Sequence, residues 1–490
     1  MTGGTTAAAG LGRFGRTHLI GVGGAGMSAI ALLLAARGLE VSGSDAREGA
    51  ALEGLRAAGV TVWVGHDAAH LTSVTTVVVS TAVRESNPEL ARARALGLVV
   101  LHRSQALAAL MAGRRAIAVA GAHGKTTTSA MIAVALAGAG LDPSFAIGGT
   151  VLAELPGQPA TSSLGGARDG AGDVFVAEAD ESDGSFLAYA PEVAVVTNVE
   201  PDHLDHYRTR AAFERAFEEF AARIVDGGAL VVCADDAGAR RLTSAARSAL
   251  GARGARVLTY GEAAGADVVV SDYRAAGVGS TCVLRTADPA LGVLKLDLTL
   301  AVPGAHNALN AAAAWTAARL VGAGPHAAAT GLAAVRGTGR RVEDRGSAGG
   351  VRVVDDYAHH PTEVAALLKA ARPVAQGGRL LVLFQPHLYS RTLAFAAEFA
   401  GALDLADAVV VTDIYGARED PDPAVTSELI TARVATAGKA ELVPDRIEAA
   451  HRIAARAEPG DLVLTVGAGD VTELAQLVLE ALATSAGSTP

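Results

Sequence analysis

The chain has 490 residues, of which 50% are hydrophobic and 4% aromatic, and its formal net charge at pH 7 is −10. This length predicts two to four domains. The acidic balance argues against a nucleic-acid partner, because contact with a phosphate backbone requires clustered Lys and Arg. The two cysteines, Cys233 and Cys282, lack the spacing of a metal site, which fits a reducing cytosol.

The first residues are not expected to carry a targeting signal. Met1 to Gly12 is small and polar and has no charged region followed by an apolar core. We therefore expect a disordered tail over residues 1–16, and a cytoplasmic protein without membrane insertion.

The first motif follows a short apolar strand that starts at Thr17. Residues 21–28 read Gly-Val-Gly-Gly-Ala-Gly-Met-Ser and run into an apolar helix, and the next strand ends in Asp45. A strand, a Gly-x-Gly-x-x-Gly turn, a helix and a second strand ending in an acid predict a Rossmann-type half that binds a pyrophosphate. Such a turn serves NAD, FAD or a UDP-sugar, and a tight turn without a ligand is the alternative.

Two further strands of this half end in polar residues. The strand predicted over Thr76 to Ser80 has the polar Ser80 as its last residue, and the strand predicted over Leu98 to Leu101 is followed by His102 and Arg103. Ligands of open α/β sheets gather at the carboxyl ends of the strands, so Ser80 and Arg103 are candidate contacts.

The second motif follows the apolar run Ala116 to Ala120. It reads Gly-Ala-His-Gly-Lys-Thr-Thr-Thr over residues 121–128 and opens a helix, which is the order of a P-loop. Its glycines let backbone N–H groups turn toward phosphate oxygens, Lys125 is expected on the β and γ phosphates, and Thr126 on Mg²⁺. The loop is shorter than the general P-loop pattern, so an ordinary turn is the alternative.

An acidic cluster follows the apolar strand Asp173 to Ala177, at Glu178, Asp180, Glu181 and Asp183. Carboxylates after a buried strand predict a metal site rather than a solvated charge run. The next strand leads to His203, for which we expect a role as a ligand or in orienting a ligand, although a lone histidine is more often structural.

The rest of the chain contains an edge addition and a second α/β unit. Residues 266–303 show strand-like runs that predict an addition to the central sheet, and Asn307 starts a long helix as a cap or as an adenine contact. Residues 155–172, rich in Gly, Pro and Ser, predict a surface loop. After Val335, four strands end in polar stretches, which predicts a binding face at one edge of a doubly wound sheet.

Four motifs together resemble one known family. They are the stretches 21–28, 121–128, Glu-Ala-Asp-Glu-Ser-Asp at 178–183 and Asp-Asp-Tyr-Ala-His-His-Pro at 355–361. The chain resembles the Mur ligases from about His18 to Leu482, and most closely the members that attach L-alanine to UDP-N-acetylmuramate. Joint occurrence in the right order makes the match specific, whereas the first glycine motif alone is weak.

The resemblance implies an α/β fold with three domains after the tail: a UDP-sugar-binding Rossmann-like domain at 17–112, a central P-loop ATPase at 113–335 and a C-terminal Rossmann-like domain at 336–490. It also implies that ATP, UDP-N-acetylmuramate and L-alanine give ADP, phosphate and UDP-N-acetylmuramoyl-L-alanine through an acyl phosphate. This is an early cytoplasmic step of peptidoglycan synthesis. The implied metal is Mg²⁺, with Mn²⁺ as an alternative, and the implied state is a monomer or a homodimer.

The resemblance also implies roles for individual residues. The implied catalytic residues are Lys125, His203, His359 and Arg391. The implied ATP contacts are Gly121, His123, Gly124, Lys125, Thr126, Thr127, Asn307, Arg340 and Asp356. The implied metal ligands are Thr126, Glu178 and His203. The implied UDP-sugar contacts are Gly23, Gly24, Ala25, Gly26, Met27, Ser28, Asp45, Ser80 and Arg103, and residues expected to face alanine or the acyl phosphate include His360, Tyr415 and Arg418.

Three departures and three alternatives accompany this interpretation. Ala122 replaces a common Thr and Val342 a common aromatic residue, and 208–220 contains no lysine for the carbamate that several relatives use, so a second metal would be held without it. The alternatives are a recycling ligase that adds a tripeptide to the same UDP-sugar, an NAD-dependent oxidoreductase and a non-catalytic nucleotide switch.

Overall fold

The computed structural model describes residue 12 and residues 14–154, 162–417 and 419–486. They form two units. The first comprises Met1–Asp272, Cys282–Thr299 and Leu309–Arg336, apart from the residues outside the described ranges. The second comprises Tyr273–Thr281, Leu300–Ala308 and Gly337–Pro490 with the same exception.

The strands of the first half of the chain are β1 (Thr17–Ile20), β2 (Val41–Asp45), β3 (Thr61–Val64), β4 (Thr76–Val79), β5 (Val99–His102), β6 (Arg115–Ala120), β7 (Ser144–Ala146), β8 (Val151–Ala153), β9 (Ser162–Ser163), β10 (Ala167–Arg168), β11 (Val174–Glu178), β12 (Val193–Val196) and β13 (Ala229–Cys233). The later strands are β14 (Arg256–Gly261), β15 (Val268–Ala276), β16 (Gly279–Thr286), β17 (Leu294–Leu300), β18 (Val335–Thr338), β19 (Glu343–Ala348), β20 (Val351–Asp356), β21 (Leu380–Phe384), β22 (Ala408–Val411), β23 (Ala440–Leu442) and β24 (Leu462–Val466).

The helices of the first half are α1 (Ala25–Ala36), α2 (Ala50–Ala57), α3 (Pro88–Ala95), α4 (Arg103–Met111), α5 (Lys125–Gly138), α6 (Leu204–Tyr207), α7 (Arg210–Ala222) and α8 (Ala237–Ala252). The later helices are α9 (Ala305–Leu320), α10 (Pro325–Ala333), α11 (Pro361–Val374), α12 (Tyr389–Leu403), α13 (Glu428–Thr431), α14 (Arg446–Arg456) and α15 (Leu474–Ala486). Short 3₁₀ turns lie at Ala68–Leu71, Ser185–Ala188 and Asp470–Glu473.

The first sheet is parallel and has the order β3-β2-β1-β4-β5. Its inner strand β1 is buried along its whole length, as expected for a parallel strand covered on both faces. The glycine turn follows β1 directly, so this turn and the end of β2 meet at one edge of the sheet. The predicted strand, glycine turn and helix are confirmed.

The central sheet has the order β10-β7-β11-β6-β12-β13-β14-β15-β16-β17. Strand β6 pairs in parallel with β11 on one side and with β12 on the other, in registers that bring Glu178 opposite Val119 and Val196 opposite Ala120. The ends of the three strands are therefore adjacent, and the three segments that follow them lie together. The edge addition predicted for residues 266–303 is confirmed by β15, β16 and β17.

Part of the predicted loop over residues 155–172 is wrong. Residues 155–161 lie outside the described part of the chain, but β9 pairs with β8 and β10 pairs with β7. The Gly- and Ser-rich composition concealed these two-residue strands, because segments this short have no detectable alternation of apolar and polar residues.

Helix α5, which begins at the P-loop lysine, packs closely against α10 at two glycines. A Cβ atom added to Gly331 would lie 2.7 Å from the Cα atom of Ala135, and one added to Gly138 would lie 2.7 Å from the Cα atom of Gly331. The contact atoms belong to the backbone and cannot turn aside. Small side chains at this crossing thus hold α5 against the neighbouring helix.

The second unit has a six-stranded sheet of order β19-β20-β24-β21-β22-β23, parallel except for the edge strand β19. Helices α11 and α12 pack on one face, and α14 and α15 pack on the other. From β21 the chain continues toward β22, whereas after β24 helix α15 returns over β19 and β20. The crevice between the ends of β21 and β24 is therefore the switch point where open α/β sheets bind ligands.

The prediction of an α/β fold with a doubly wound second unit is confirmed, and the strands predicted at 408–411 and 462–466 have those bounds. Within the described ranges, no helix has the length and apolar character needed to span a bilayer.

The crossing of α5 and α10 gives a stability prediction. Gly331→Ala should destabilise the protein by about 1–3 kcal/mol, because the new methyl group overlaps the backbone of α5. Thermal unfolding followed by circular dichroism measures the change.

Gly251→Ala in α8 is the matched control, because a Cβ atom there meets nothing within 4 Å. It should leave the unfolding temperature unchanged or raise it, since Ala is favoured over Gly in a helix by roughly 0.5–1 kcal/mol. Equal unfolding temperatures for the two variants would contradict the close crossing.

Candidate active site

The loop between β6 and α5 has the backbone that its glycines permit. Gly121 has a φ of 135° and Gly124 a φ of 82°, both in the region that side chains disfavour. Added Cβ atoms would lie 2.1 Å from the Thr197 hydroxyl oxygen and 2.8 Å from Oδ1 of Asn310, respectively. The predicted strand, glycine loop and helix are confirmed here.

Lys125 folds back over this loop. Its Nζ donates to the carbonyl oxygens of Gly121 at 2.7 Å and Ala122 at 3.3 Å, and to Oε1 of the fully buried Glu181 at 2.9 Å. Burial alone favours the neutral amine, but the carboxylates of Glu181, Asp180 and Glu178 raise the pKa of Lys125 above its usual value. The ammonium is thus held at the loop that would receive phosphates.

The next residue, Thr126, lies beside Glu178. The Thr126 hydroxyl donates to Oε1 of Glu178 at 3.1 Å, and the Gly148 N–H donates to Oε2 at 2.8 Å. A hydroxyl and a carboxylate at a helix N-terminus form an oxygen donor set of the kind that Mg²⁺ prefers. These residues fit the predicted metal.

His203, predicted to bind or orient a ligand, lies close to Glu181 and Asp202. Its Nε2 is 3.7 Å from Oε1 of Glu181 and 3.7 Å from Oδ2 of Asp202, and its φ is 51°. Burial raises the pKa of Glu181 to about 7, although Lys125 opposes this shift. His203 and Lys125 therefore share one buried carboxylate.

The acidic cluster divides between two tasks, which corrects its interpretation as one metal site. Glu181 pairs with Lys125, and Arg103 lies 2.7 Å from Asp180 and 3.6 Å from Asp183. Only Glu178 contacts Thr126 among these four carboxylates. The sequence showed four similar acids, and the fold pairs three of them with cations.

Two residues that the sequence prediction did not select hold the P-loop. The Asn198 side chain accepts from the His123 N–H and donates to its carbonyl, both at 3.0 Å, and the Thr197 hydroxyl donates to the same carbonyl. The sequence feature that could have identified them is their position directly after β12, the parallel neighbour of β6. The His123 ring contacts Glu200, with Nε2 and Oε2 3.2 Å apart.

The first glycine turn of residues 21–28 is held from β2. Asp45 Oδ2 accepts from the Gly23 N–H at 2.9 Å, and the Ser44 carbonyl accepts from the N–H groups of Gly21 and Val22. Gly24 precedes α1, whose first turn carries Ala25, Gly26, Met27 and Ser28. Asp45 thus orders the turn itself.

Ser80 follows β4, and its carbonyl accepts from the Val83 N–H at 3.1 Å. Thr127 is the third residue of α5 and is partly buried. Arg418 lies outside the described residues.

The second unit holds Asn307, Arg340 and Asp356. Helix α9 begins at Ala305, so Asn307 lies in its first turn, and its Nδ2 donates to the Pro303 carbonyl at 2.7 Å. The alternative of a helix cap at this position is wrong, because a capping side chain precedes the helix and accepts a hydrogen bond.

Arg340 and Asp356 order the chain around β19 and β20. Arg340 Nη2 donates to the Gly467 carbonyl at 2.8 Å, and its guanidinium lies 4.9 Å from the centre of the Tyr357 ring. Asp356 accepts from the N–H groups of Val342 and Ala358, each at 2.8 Å. Burial raises the pKa of Asp356 to about 6, although Arg341 and these hydrogen bonds oppose the shift.

A row of rings contains two of the predicted residues, His359 and Tyr415, and one that was missed, His387. The ring centres of His359 and His387 are 5.7 Å apart, and those of His387 and Tyr415 are 5.8 Å apart. Arg391 Nη1 lies 3.3 Å from Nδ1 of His387. His387 contacts His359, Tyr415 and Arg391, and its position directly after β21 is the sequence feature that could have identified it.

His360 is buried and caps α11, with Pro361 as the first helical residue, as predicted.

A cleft of about 510 Å³ opens at the switch point of this sheet. Three carboxylates line it, together with Gln385, Thr412, Ile414, Tyr415, Pro444 and Arg446; the carboxylates are Asp413, Asp445 and Asp470. Asp470 is engaged, because it accepts from Gln385 and from Arg446.

A glycine loop between a buried strand and a helix, with a lysine and a threonine at the helix start, defines an α/β protein of the P-loop class. Three family models match successive segments: "Mur ligase family, catalytic domain" over residues 16–115, "Mur ligase middle domain" over 119–318 and "Mur ligase, glutamate ligase domain" over 340–469. The chain belongs to the Mur ligase family, and the predicted family and fold are confirmed.

Individual relatives match over nearly their full length. The UDP-N-acetylmuramate–L-alanine ligase of Kineococcus radiotolerans is 59% identical over 488 residues, which cover 99% of this chain and 100% of the relative. The crystal structure of a UDP-N-acetylmuramate-alanine ligase from Thermotoga maritima has a TM-score of 0.77 at 28% identity, covering 96% of this chain and 99% of that one. A murein peptide ligase from Psychrobacter arcticus has a TM-score of 0.69 at 27% identity, covering 95% and 98%.

The P-loop geometry gives a binding prediction. Gly124→Ala should lower the affinity for ATP about tenfold or more, because a left-handed alanine costs roughly 1–2 kcal/mol and its Cβ also meets Asn310. Calorimetry with a non-hydrolysable ATP analogue measures this.

Gly265→Ala is the control, because a Cβ atom there meets nothing within 4 Å and Gly265 has no disfavoured φ. The double variant Gly124→Ala/Asn310→Ala should recover only the part of the lost ATP affinity that arises from the contact between the new Cβ atom and the Asn310 side chain. An unchanged affinity in Gly124→Ala would show that this loop does not bind ATP.

Proposed function

We propose that this protein catalyses the ATP-dependent ligation of L-alanine to the lactyl carboxylate of UDP-N-acetylmuramate. The products are ADP, phosphate and UDP-N-acetylmuramoyl-L-alanine for peptidoglycan synthesis. The observation that carries the proposal is the 59% identity over 99% of the chain to a ligase named for this reaction. The protein acts in the cytoplasm as a monomer or a homodimer.

The proposed division of labour follows three domains. Residues 17–112 bind the UDP-sugar, residues 113–335 bind ATP and residues 336–490 close over ATP and receive the amino acid. Family membership favours a UDP-sugar over NAD at the turn of residues 21–28. The Asp45 contact to the Gly23 N–H orders this turn, and the start of α1 directly after it supports a diphosphate site there, because a helix N-terminus attracts anions.

Transfer of the γ-phosphoryl group depends on position and charge. Lys125 would leave the carbonyls of the loop and follow the β and γ phosphates, while its pairing with Glu181 keeps the ammonium charged. Thr126, Glu178 and His203 are proposed to hold Mg²⁺, or Mn²⁺ in its place. The ion supplies neutralisation of phosphate charge when it is bound. The substrate carboxylate attacks the γ-phosphate, the bond from the γ-phosphorus to the bridging oxygen breaks, and ADP leaves as the acyl phosphate forms.

The second unit supplies the proposed adenine contact, Asn307, and the nucleotide clamp, Arg340 and Asp356. The cation–π contact of Arg340 with Tyr357 and its hydrogen bond to Gly467 support this role, because they fix the guanidinium in place.

Amide formation requires a neutral amine that attacks the acyl phosphate and displaces phosphate. His359, His360, Arg391, Tyr415 and Arg418 are proposed to face alanine or the acyl phosphate. The row formed by His359, His387 and Tyr415 supports a role for an imidazole in taking up the proton of the ammonium. The carboxylates of the cleft beside Tyr415 favour binding of the amino acid with its amine still protonated, before the proton is removed.

A recycling ligase that adds a tripeptide to the same UDP-sugar is the second candidate. The structural similarity to a murein peptide ligase supports it, although the identity of 27% is well below the 59% of the alanine ligase.

Phosphate release tests the proposal. The protein is supplied with ATP, Mg²⁺ and UDP-N-acetylmuramate, and then with L-alanine, with the L-Ala-γ-D-Glu-meso-diaminopimelate tripeptide or with no acceptor. Release that requires L-alanine is expected. Release only with the tripeptide would identify the recycling ligase, and no release with any acceptor would favour a nucleotide-binding switch.

Lys125→Ala is the control for this assay. It should release no phosphate and, in the absence of ATP, should bind UDP-N-acetylmuramate with nearly the affinity of the unchanged protein. Loss of sugar binding as well would contradict the proposed division into domains.

The proposed metal site gives a separate prediction. Glu178→Gln keeps the shape of the side chain but removes its charge, so the Mg²⁺ concentration at half-maximal rate should rise roughly tenfold or more. A metal titration of the initial rate measures this. Glu218→Gln, on an exposed position of α7, is the matched control and should leave the titration unchanged. An unchanged titration in Glu178→Gln would exclude Glu178 as a ligand.

A further inference from the structure

Arg103 joins the first sheet to the acidic segment after β11. It is the first residue of α4, and its side chain is 23% exposed. Its Nη2 donates to Oδ2 of Asp180 at 2.7 Å and lies 3.6 Å from Oδ2 of Asp183. The guanidinium thus pairs with two carboxylates of one segment through a single nitrogen.

The other terminal nitrogen faces the glycine turn. A Cβ atom added to Gly26, in the first turn of α1, would lie 3.4 Å from Nη1 of Arg103. A helix N-terminus after such a turn attracts a diphosphate. Since a guanidinium carries five N–H donors in a fixed plane, Nη1 can donate to a phosphate oxygen while Nη2 keeps its bond to Asp180.

The segment that Arg103 contacts also reaches the P-loop lysine. Glu181, directly after Asp180, accepts from Lys125 at 2.9 Å. The Tyr207 hydroxyl donates to the Glu181 carbonyl, so the backbone here is held from a second side. Two adjacent residues, Asp180 and Glu181, therefore connect the Arg103 guanidinium to the ammonium at the P-loop.

Other contacts at this junction reach only Asp183. The Thr81 hydroxyl donates to Oδ2 of Asp183 at 3.1 Å, and Nε2 of His102 lies 3.8 Å from the same atom. They help to hold the segment, but neither touches Asp180. Arg103 is distinguished from them because it pairs with Asp180, the residue before Glu181, and its Nη1 also lies beside the glycine turn.

We propose that Arg103 is a positioning residue that couples the two nucleotide sites. A diphosphate at the glycine turn orders the guanidinium, the guanidinium holds Asp180, and Glu181 then holds Lys125 in place for ATP. Each ligand therefore tightens the binding of the other by the same factor. This inference rests on the proposed function for the identity of the two ligands.

Calorimetry on the full chain tests the coupling. The affinity for a non-hydrolysable ATP analogue with Mg²⁺ is measured with and without saturating UDP-N-acetylmuramate, and the reciprocal pair is measured as well. The unchanged protein should show a coupling factor of about five or more. In Arg103→Ala the factor should fall to about one, with weaker binding of the UDP-sugar.

Three further variants separate positioning from a general structural effect. Asp180→Asn should lose the coupling but keep the affinity for the UDP-sugar, because Asp180 contacts Arg103 and not the turn. Arg103→Lys should also lose the coupling, since one ammonium cannot span both partners. Thr81→Ala removes only a contact to Asp183 and should retain the coupling.

The inference would be overturned by no coupling in the unchanged protein or by full coupling in Arg103→Ala. Protein that binds both ligands with coupling but forms no product with L-alanine would overturn the proposed activity alone. Coupling lost equally in Thr81→Ala would show that the whole junction, and not Arg103, carries the effect.

Discussion

The parallel pairing of β6 with β11 and β12 is the constraint on which the candidate site depends. Parallel strands end at the same edge of a sheet, so the P-loop after β6, the acidic segment from Glu178 and the Thr197–Asn198 pair meet there. Asn198 holds His123, and Glu178 meets Thr126. A register shift in either pairing would separate these groups, and the buried apolar side chains of the three strands oppose such a shift.

The charges of the site are arranged so that buried groups have partners. The partly buried Lys125 is paired with the fully buried Glu181, and Asp180 is paired with Arg103. Although burial opposes ionisation, Arg103 and Lys125 lower the pKa of Asp180 below its usual range. An uncompensated buried charge is costly, so removal of one member is expected to disturb its neighbours. The acidic segment thus serves the P-loop and the glycine turn at the same time.

The second unit places its polar residues at the switch point of its sheet. Three strand ends supply His359, His387 and Tyr415 to one row of rings, and Asp470 lines the adjacent cleft. The contacts of Asp356 with backbone N–H groups show that a residue in a binding motif can also have a structural task. The same holds for His360, which caps α11.

The sequence by itself determined the fold class, the glycine turn, the P-loop and the strand ends where polar residues gather. Apolar runs, glycines and spacing are local properties, so they can be recognised without coordinates. Only the tertiary structure decided which acid meets which cation. It separated Glu178 from the three paired carboxylates, brought His203 to Glu181, selected Asn198 and His387, and placed Asn307 inside its helix. The physical reason is that such pairings depend on which strands are neighbours and in which register, and local spacing does not encode either.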